Sequence, residues 1–374
     1  MKRTPALLAL VSLSLLRCGP PEPSSRYTPS NLPVDVAFDT RSEVVLSGKT
    51  SIDLLPDPPV LQATSGEYSV KRFSQSAGGP DVFAFFMKDL TVLPDAVVTV
   101  QGDNPIIFVV AGRATIKGLI DVSADHQFGV AGGAETPWEA DSDGTGGAPG
   151  LKPTGVEGAG GGGFCGRGGG ATRGGGANVY SPRLRPLRGG SSGATAGTGA
   201  YGGAGGGAVQ IFASESIEVT STGSIRANGG GGVQYGGGGG SGGGILLEAP
   251  IITIASGQSL SAWGGGGGAN YFAGPLTSNS GDNGGPMGPG AGGNPEPGTM
   301  EPRNSGGSAT LEHGLEGVYV GPSPSTGFRD HGGGGAGGAG RIHFNLAADA
   351  GVVWPGRPDS PCITTGLLDI GPAT

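Results

Sequence analysis

The sequence predicts an all-β protein that folds as a right-handed parallel β-helix, a β-solenoid, with long glycine-rich loops. One observation is an internal repeat between residues 207 and 268, in which two apolar runs and a glycine tract follow one another twice. Another is a series of short β-branched runs between residues 82 and 124 with almost no helical periodicity. Self-similarity at a period of about 35 residues is typical of solenoids and repeat arrays.

The two copies of the repeat align almost without gaps. Val209 corresponds to Ile245 at an offset of 36 residues, and Ile225 corresponds to Leu260 at an offset of 35, so one residue is lost between them. In the same way, the run 217–219 corresponds to 252–254. The alignment predicts that equivalent strands stack on one another in successive coils.

The runs between residues 82 and 124 fit either antiparallel hairpins or successive coils of a parallel structure. The hairpin dipeptides Asn-Gly and Asp-Gly do not occur between these runs, which favours the parallel alternative. Alternation is clearest where Ile116, Ile120 and Val122 share one face.

Glycine supplies 83 of the 374 residues, about three times the average usage of roughly 7%. Collagen's strict period is missing, and β-branched runs such as 251–254 distinguish the chain from a flexible linker. Glycine tracts lose much conformational entropy on ordering, so they either stay mobile or are held by dense backbone hydrogen bonding. Because no Cβ intervenes, we expect extended tracts to pack side by side against one face of the solenoid.

The amino terminus has the features of an export signal. Lys2 and Arg3 precede an apolar run at 6–16, which predicts a signal peptide over residues 1–17. The sequence Leu15-Leu16-Arg17-Cys18 resembles the lipobox of bacterial lipoproteins, although Arg17 departs from the small residue expected there. We expect lipidation at Cys18 and an outer-membrane or cell-surface location. Simple secretion and an uncleaved anchor are the alternatives.

The rest of the chain divides by composition. Residues 18–33 are rich in Pro and Ser and are predicted as a tether. A β region follows at 34–80, the glycine-rich solenoid at 81–345, and a tail or cap at 346–374. Cys165 and Cys362 either pair, which would link the tail to the glycine-rich region, or remain two buried thiols.

Several classes of chemistry find no support in the residues. The net charge of −8 argues against a nucleic-acid partner. No cofactor is predicted, because no GxGxxG match follows a strand and opens a helix. No metal is predicted either: the four histidines lack ligand spacing, and Asp141 and Asp143 in the turn 141–145 lack the further ligands of a calcium loop.

The sequence contains candidates for catalysis and for glycan binding. Polysaccharide cleavage requires paired carboxylates or a carboxylate beside a basic residue. The candidates are Asp121, Asp125 and Asp330, for which solvated turn positions are the simpler interpretation. Aromatic and basic residues beside the glycine tracts are candidates for contact with a glycan, with end-plugging rings and a solvated loop as the alternatives: Trp263, Tyr235, Tyr201, Arg183, Arg185 and Arg188.

Three phrases, 112–124, 241–250 and 337–344, resemble uncharacterised glycine-rich exported bacterial proteins, often lipoproteins, with a composition like the PGRS tracts of mycobacterial surface proteins. There is no PE-type helical domain. The resemblance implies no activity. We therefore expect a structural or adhesive cell-surface lipoprotein that contacts a polysaccharide or another component of the cell envelope, and the alternative is a polysaccharide lyase or hydrolase on the same scaffold.

Overall fold

The computed structural model describes residues 27–34, 42–154, 158–170, 176, 180–233, 235–256, 259–269, 280–284, 289–291, 308–309, 334–348, 350–357, 360 and 362–370. Strands, and no helix, form the regular secondary structure of these residues. The twenty strands are, in order, β1 Tyr27–Thr28, β2 Glu43–Leu46, β3 Lys49–Asp53, β4 Val60–Leu61, β5 Ser69–Phe73, β6 Val82–Met87, β7 Asp89–Val92, β8 Val97–Gln101, β9 Ile106–Val110, β10 Arg113–Ile116, β11 Leu119–Asp121, β12 Ala208–Ala213, β13 Ser216–Val219, β14 Ser224–Arg226, β15 Gly244–Glu248, β16 Ile251–Ile254, β17 Leu260–Ser261, β18 Arg341–Leu346, β19 Ile363–Leu367 and β20 Asp369–Ile370.

Three sheets contain all of these strands except β1 and β20, which pair with each other. Sheet I has the order β16-β13-β10-β7-β2, and sheet II the order β17-β14-β11-β8-β3-β4. Sheet III has the order β19-β18-β15-β12-β9-β6-β5. From β6 to β17 the chain visits sheets III, I and II in turn, so hydrogen-bonded neighbours are three strands apart in sequence.

The main core lies between the inward faces of the three sheets. Burial alternates along the strands of sheets I and II, as in β2 and β10, whose even positions are buried and odd positions partly exposed. Strands of sheet III such as β9 and β12 are buried throughout, because their outward side chains are covered as well. Sheet III therefore lies between two apolar layers.

The register expected from the internal repeat is confirmed. Val209 pairs with Ile245 and Ile225 pairs with Leu260, both between parallel strands. The run 217–219 pairs with 252–254 in the same way. The residue lost between the copies lies in the connection between the first and second runs, because Phe212 pairs with Glu248 at an offset of 36 and Ser216 pairs with Ile251 at an offset of 35.

The glycine tracts form a packed body, which we call the glycine layer: residues 158–170, 189–207, 228–233, 235–243, 263–269, 281–284 and 334–340. Almost all of these residues are buried. Backbone hydrogen bonds join one tract to several others: Gly238 accepts from Gly203 N at 2.7 Å and donates to Ala194 O at 3.1 Å, while Gly239 donates to Gly335 O at 2.8 Å. The tracts are therefore ordered against one another, as their lack of Cβ atoms predicts.

The prediction of a right-handed parallel β-helix with long glycine-rich loops is corrected by these findings. The sheets are only mostly parallel, because β4 and β5 run antiparallel to their neighbours β3 and β6. The glycine tracts are not loops but a hydrogen-bonded layer. We therefore describe the fold as all-β, with three mostly parallel sheets and a glycine layer.

The two chain ends add to the same body. Strands β2 and β3 extend sheets I and II, and β19 extends sheet III. Trp354 contacts Phe344 with a ring separation of 5.8 Å and donates from its indole nitrogen to Ser256 O at 2.7 Å. No helix in the described ranges has the length and apolar character needed to cross a membrane.

Candidate functional site

Three aromatic rings, which we call the aromatic patch, come together at the surface beside the glycine layer. The ring of Phe128 lies 6.0 Å from that of Trp138, and the ring of Trp138 lies 5.1 Å from that of Tyr201 in an edge-to-face arrangement. Phe128 is 53% exposed and Trp138 is 58% exposed. Two large apolar rings are thus held together in contact with solvent, with their planes inclined at 56° to each other.

A polar pocket opens next to the patch. It has a volume of about 220 Å³ and is lined by Asp125, His126, Gln127, Phe128, Val233 and Ser280. Phe128 belongs to both the pocket and the patch, so the two form one continuous surface. The Nδ1 atom of His126 is buried and has no hydrogen-bond partner within the described residues.

The pocket wall is built on a tight turn that follows β11. Asp125 N donates to Phe128 O at 3.1 Å, and Phe128 N donates back to Asp125 O at 2.9 Å. Within this turn His126 adopts a φ of 45°, a left-handed conformation that is uncommon for a residue with a side chain. The turn is held because the carbonyl oxygen of His126 accepts a hydrogen bond from Ala204 N in the glycine layer.

Asn283 fixes the turn from the other side. Its Oδ1 atom accepts hydrogen bonds from Gly231 N at 2.8 Å and His126 N at 3.3 Å, and its Nδ2 atom donates to Asp125 Oδ1 at 3.4 Å. The pocket therefore has a preformed backbone, with polar side chains at its rim.

The aromatic residues chosen from sequence are separated by the structure. Tyr201 belongs to the aromatic patch. Tyr235 is 43% exposed, two residues after the pocket residue Val233. Trp263 is 9% exposed, and its backbone nitrogen donates to Asn228 Oδ1 at 2.8 Å. Little of Trp263 is therefore open to a ligand, and its predicted contact with a glycan stays a prediction.

The arginines of the loop 181–188 hold the structure together. Arg185 donates from Nε to Ser30 O at 2.7 Å and forms an ion pair with Asp369, while Arg188 donates to Gly78 O. Leu184 and Leu187 of the same loop are buried. Arg183 is exposed, and no side-chain bond of this kind is shown for it within the described residues. Two of the three candidate glycan contacts, Arg185 and Arg188, therefore also have a structural role.

The catalytic candidates do not form a pair of carboxylates at the pocket. Asp125 lines it, whereas Asp121 lies four residues earlier and accepts a hydrogen bond from Ser123 N at 2.9 Å. Asp330 lies outside the described residues, as do the lipidation candidate Cys18 and the predicted signal peptide. One carboxylate at the pocket does not supply the acid and base that glycoside hydrolysis requires.

Cys165 and Cys362, for which the sequence left two alternatives, are joined by a disulfide. Among the described residues no group of three His, Cys, Asp or Glu side chains is placed to hold a metal ion. The carboxylates of the turn 141–145 are used by the backbone: Asp143 Oδ1 accepts from Lys152 N at 2.8 Å, and Asp141 Oδ1 accepts from Gly197 N at 3.0 Å.

A second polar cluster, which sequence reasoning missed, is buried on the outward face of sheet III. Glu248 is fully buried and accepts hydrogen bonds from Ser30 N at 3.1 Å, from Asn345 Nδ2 at 2.6 Å and from Gln210. Burial raises the pKa of Glu248. We call Gln210, Glu248, His343 and Asn345 the buried polar cluster.

His343 continues the same chain of hydrogen bonds. Its Nε2 atom lies 3.0 Å from Asn345 Oδ1, an atom that can only accept, so His343 is the donor there. Its Nδ1 atom lies 2.7 Å from Thr364 Oγ1. Burial lowers the pKa of His343 to about 4. Ser30 and Asn31 donate to Glu248 and Gln210, and all four side chains of the cluster are buried, so we assign the cluster a structural role.

The aromatic patch could have been found only in part from sequence. Trp138 is a large apolar ring in a polar segment, Glu135-Thr-Pro-Trp-Glu139, and such a ring is a candidate for an exposed contact. Nothing in the sequence links it to Tyr201, which is 63 residues away. Comparisons with protein-family models, with curated proteins and with solved structures find no match to this chain.

Proposed function

We propose that the protein is a non-catalytic, glycan-binding adhesive protein of the cell surface. The observation that carries this proposal is the exposure of Phe128 and Trp138 at 53% and 58%, beside a polar pocket. Exposed apolar patches rimmed by polar groups mark interaction sites in soluble proteins. A sugar ring suits such a surface because its C–H face packs on an aromatic ring while its hydroxyl groups require hydrogen-bonding partners.

The polar groups at the pocket match that requirement. His126 lines the pocket, where its imidazole is a polar contact for a sugar hydroxyl, and its buried Nδ1 atom takes no part in this contact. The side chains of Asp125 and Gln127 supply further acceptors and donors at the same pocket. A ligand with neutral hydroxyl groups suits this mixture of hydrogen-bond donors and acceptors better than a purely apolar ligand does.

The rigidity of the support favours binding by a preformed surface. The turn 125–128 is hydrogen-bonded within itself and to the glycine layer through Ala204 and Asn283. A site that is already ordered loses little conformational entropy when a ligand binds. The glycine layer would thus act as a platform that holds the aromatic patch in place.

Catalysis is not favoured at this site. The pocket contains one carboxylate, Asp125, whereas hydrolysis of a glycosidic bond requires a second carboxyl group to act as base or nucleophile. Cleavage of a polysaccharide, as by a lyase or hydrolase, is therefore the alternative result in the binding experiment.

The proposal includes export of the protein and its attachment to a lipid at Cys18. The signal-like features of the amino terminus support this part. Residues 27–33 lie against the outward face of sheet III, where Ser30 N binds Glu248. The pocket follows β11 of sheet II. A tether leaving from the amino-terminal segment would therefore start from a different face than the pocket, which leaves the pocket available to a glycan.

The test is binding of the mature, unlipidated chain to a glycan array and to matched soluble oligosaccharides, with the release of new reducing or unsaturated ends followed in parallel. We expect retention without cleavage, and Trp138→Ala should weaken binding at least tenfold, as truncation of a central aromatic contact does. The control is Leu55→Ala, which removes an apolar side chain that is 77% exposed, more than the 58% of Trp138, from a different loop.

Two results would contradict the proposal. Equal retention of the Trp138→Ala variant and the unchanged chain would show that the patch is not the binding surface. New reducing or unsaturated ends that disappear in Asp125→Asn would replace binding by catalysis.

A further inference from the structure

The polar pocket beside the aromatic patch contains an accessible carboxylate. Asp125 is exposed and lines the pocket together with Phe128, and an antiparallel bridge between the two residues holds them on one wall. Among the described residues that line the pocket, none is a lysine or an arginine. The negative charge of Asp125 is therefore not balanced by either kind of side chain in the pocket wall.

The carboxylate of Asp125 has accepting capacity to spare. The hydrogen bond shown for this side chain within the described residues runs from Asn283 Nδ2 to Oδ1 at 3.4 Å, which is long for such a bond. No ion pair of Asp125 is found in the described part of the chain. Because an ionised carboxylate accepts up to about four hydrogen bonds, most of this capacity is open to a ligand in the pocket.

The two exposed rings of the aromatic patch suit a positively charged ligand. The face of an aromatic ring carries partial negative charge and attracts a cation within about 6 Å of its centre. The ring centres of Phe128 and Trp138 are 6.0 Å apart and their planes are inclined at 56°, so one cation can lie within that distance of both. Since Phe128 also lines the pocket, the rings and the carboxylate are available to the same ligand.

The surroundings of the rings add further negative charge. Glu135 and Glu139 are exposed on either side of Trp138 in the chain, and Asp282 is exposed next to Asn283, which fixes the pocket turn. The whole chain has a net charge of −8. A negative field of this kind raises the local concentration of cations and speeds their encounter with the site.

The chemistry of these groups selects the charge of the ligand. A carboxylate and aromatic faces attract an ammonium group, whereas the same carboxylate repels an acidic sugar. We propose that the polar pocket and the aromatic patch recognise a protonated amino sugar. Its ammonium group contacts Asp125 and the rings of Phe128 and Trp138, and its hydroxyl groups contact the neutral polar groups of the pocket.

The choice of a glycan rests on the proposed function, whereas the recognition of an ammonium group does not. Calorimetric titration of the mature, unlipidated chain therefore compares oligomers of glucosamine with oligomers of N-acetylglucosamine of equal length. A separate titration uses choline, a permanent cation that is not a sugar. The titrations are made at about pH 6.5, below the pKa of about 7.7–8.0 that is typical of an α-amino group, so that the sugar amine is protonated.

We expect the oligomers with free amines to bind about tenfold more tightly than the acetylated ones. The preference should fall in about 1 M salt, where the Debye length is only about 3 Å. Acetylation removes the charge of the amine but keeps the sugar ring and its hydroxyl groups. The ratio of the two affinities therefore measures the recognition of the ammonium group, and a general loss of binding does not change it.

Substitutions then assign this ratio to the pocket. Asp125→Asn keeps the size of the side chain but not its charge and should remove most of the preference. Phe128→Leu keeps an apolar side chain but not the ring and should reduce the preference about threefold. Glu218→Gln is the matched control, because it removes an exposed carboxylate from the outward face of sheet I and should leave the ratio unchanged.

Each outcome has a distinct meaning. A preference for free amines that is lost in Asp125→Asn and kept in Glu218→Gln supports the proposal. Equal affinities for the two oligomers, or a preference that persists in Asp125→Asn, overturn it while the proposed function stands. Choline binding that depends on Asp125, without binding of any glycan, supports the ammonium site and contradicts the proposed function. If neither the oligomers nor choline bind, the ammonium site is overturned, and the glycan array decides the proposed function separately.

Discussion

A Cβ atom on Gly243 would stand 1.8 Å from the carbonyl oxygen of Gly207. The same oxygen accepts the hydrogen bond of Gly244 N at 3.0 Å, so it cannot turn aside without losing that bond. The relationship recurs between other tracts: a Cβ on Gly203 would stand 1.9 Å from Gly230 O, and one on Gly337 would stand 1.9 Å from Gly240 O. The glycine layer is therefore packed backbone against backbone, at distances that any side chain would prevent.

Gly243→Ala should separate two tracts and lower the free energy of unfolding by about 3 kcal/mol, because the obstacle is a hydrogen-bonded backbone and not a flexible side chain. Gly351→Ala is the control, since no atom lies within 4 Å of its added Cβ and the change should stay within about 0.5 kcal/mol. Chemical denaturation of both variants measures the difference. Equal stabilities would mean that the layer is looser in solution than the described packing.

The disulfide between Cys165 and Cys362 joins residues 197 positions apart. It links the glycine layer to the residue just before β19, the edge strand of sheet III. Closing a loop of this length restricts the unfolded chain strongly, so reduction should lower stability by about 2–5 kcal/mol. The measurement is thermal unfolding with and without a reductant, using Cys165→Ala/Cys362→Ala as the control that should no longer respond. Hydrogen exchange in β19 should rise on reduction, and an unchanged midpoint would contradict the structural role.

The strand register could be predicted from sequence because apolar side chains carry it. Val209 and Ile245 occupy equivalent places in two copies of one pattern, and the structure pairs them. The glycine layer is different, since a tract such as 236–240 has no side chains that specify which neighbour it contacts. Its partners follow from where the sheets place the tract ends, which is a property of the whole fold.

Less of the candidate site than of the strand register can be predicted from the sequence. Tyr201 is a candidate from sequence because it flanks a glycine tract, but its contact with Trp138 joins segments that share no sequence pattern. Trp263 occupies a similar place in the sequence but is only 9% exposed. A two-residue period assigns polar residues within strands, such as Glu248 and His343, to an exposed face, whereas the segment 27–33 packs on that face through Ser30.

His343 should make stability depend on pH. Burial lowers its pKa in the folded protein to about 4, below the ordinary value of about 6.5 in an unfolded chain. A lowered folded pKa means that its contribution is fully present above about pH 6.5 and is lost as the pH falls toward 4. The loss should reach at most about 3 kcal/mol, and His343→Gln should remove it. Unfolding curves measured between pH 7 and 4 test this, and an unchanged pH dependence in His343→Gln would refute it.

Glu248 acts in the opposite direction, which allows the two groups to be told apart. Its folded pKa is raised by burial, so its contribution is fully present below its unfolded pKa of about 4.5 and is lost as the pH rises through the folded pKa. At pH 7 Glu248→Gln should therefore leave stability equal or higher. The new amide can donate to Asn345 once the Asn345 amide turns over, and Asn345 can then donate to the Nε2 atom of neutral His343.

Glu248→Ala leaves the donors of Ser30, Gln210 and Asn345 without their acceptor, and should cost about 3 kcal/mol or more of stability. Denaturation of both variants at pH 7 and pH 5 measures these effects. A Glu248→Gln variant as unstable as Glu248→Ala would show that the carboxylate charge itself holds residues 27–33 on sheet III.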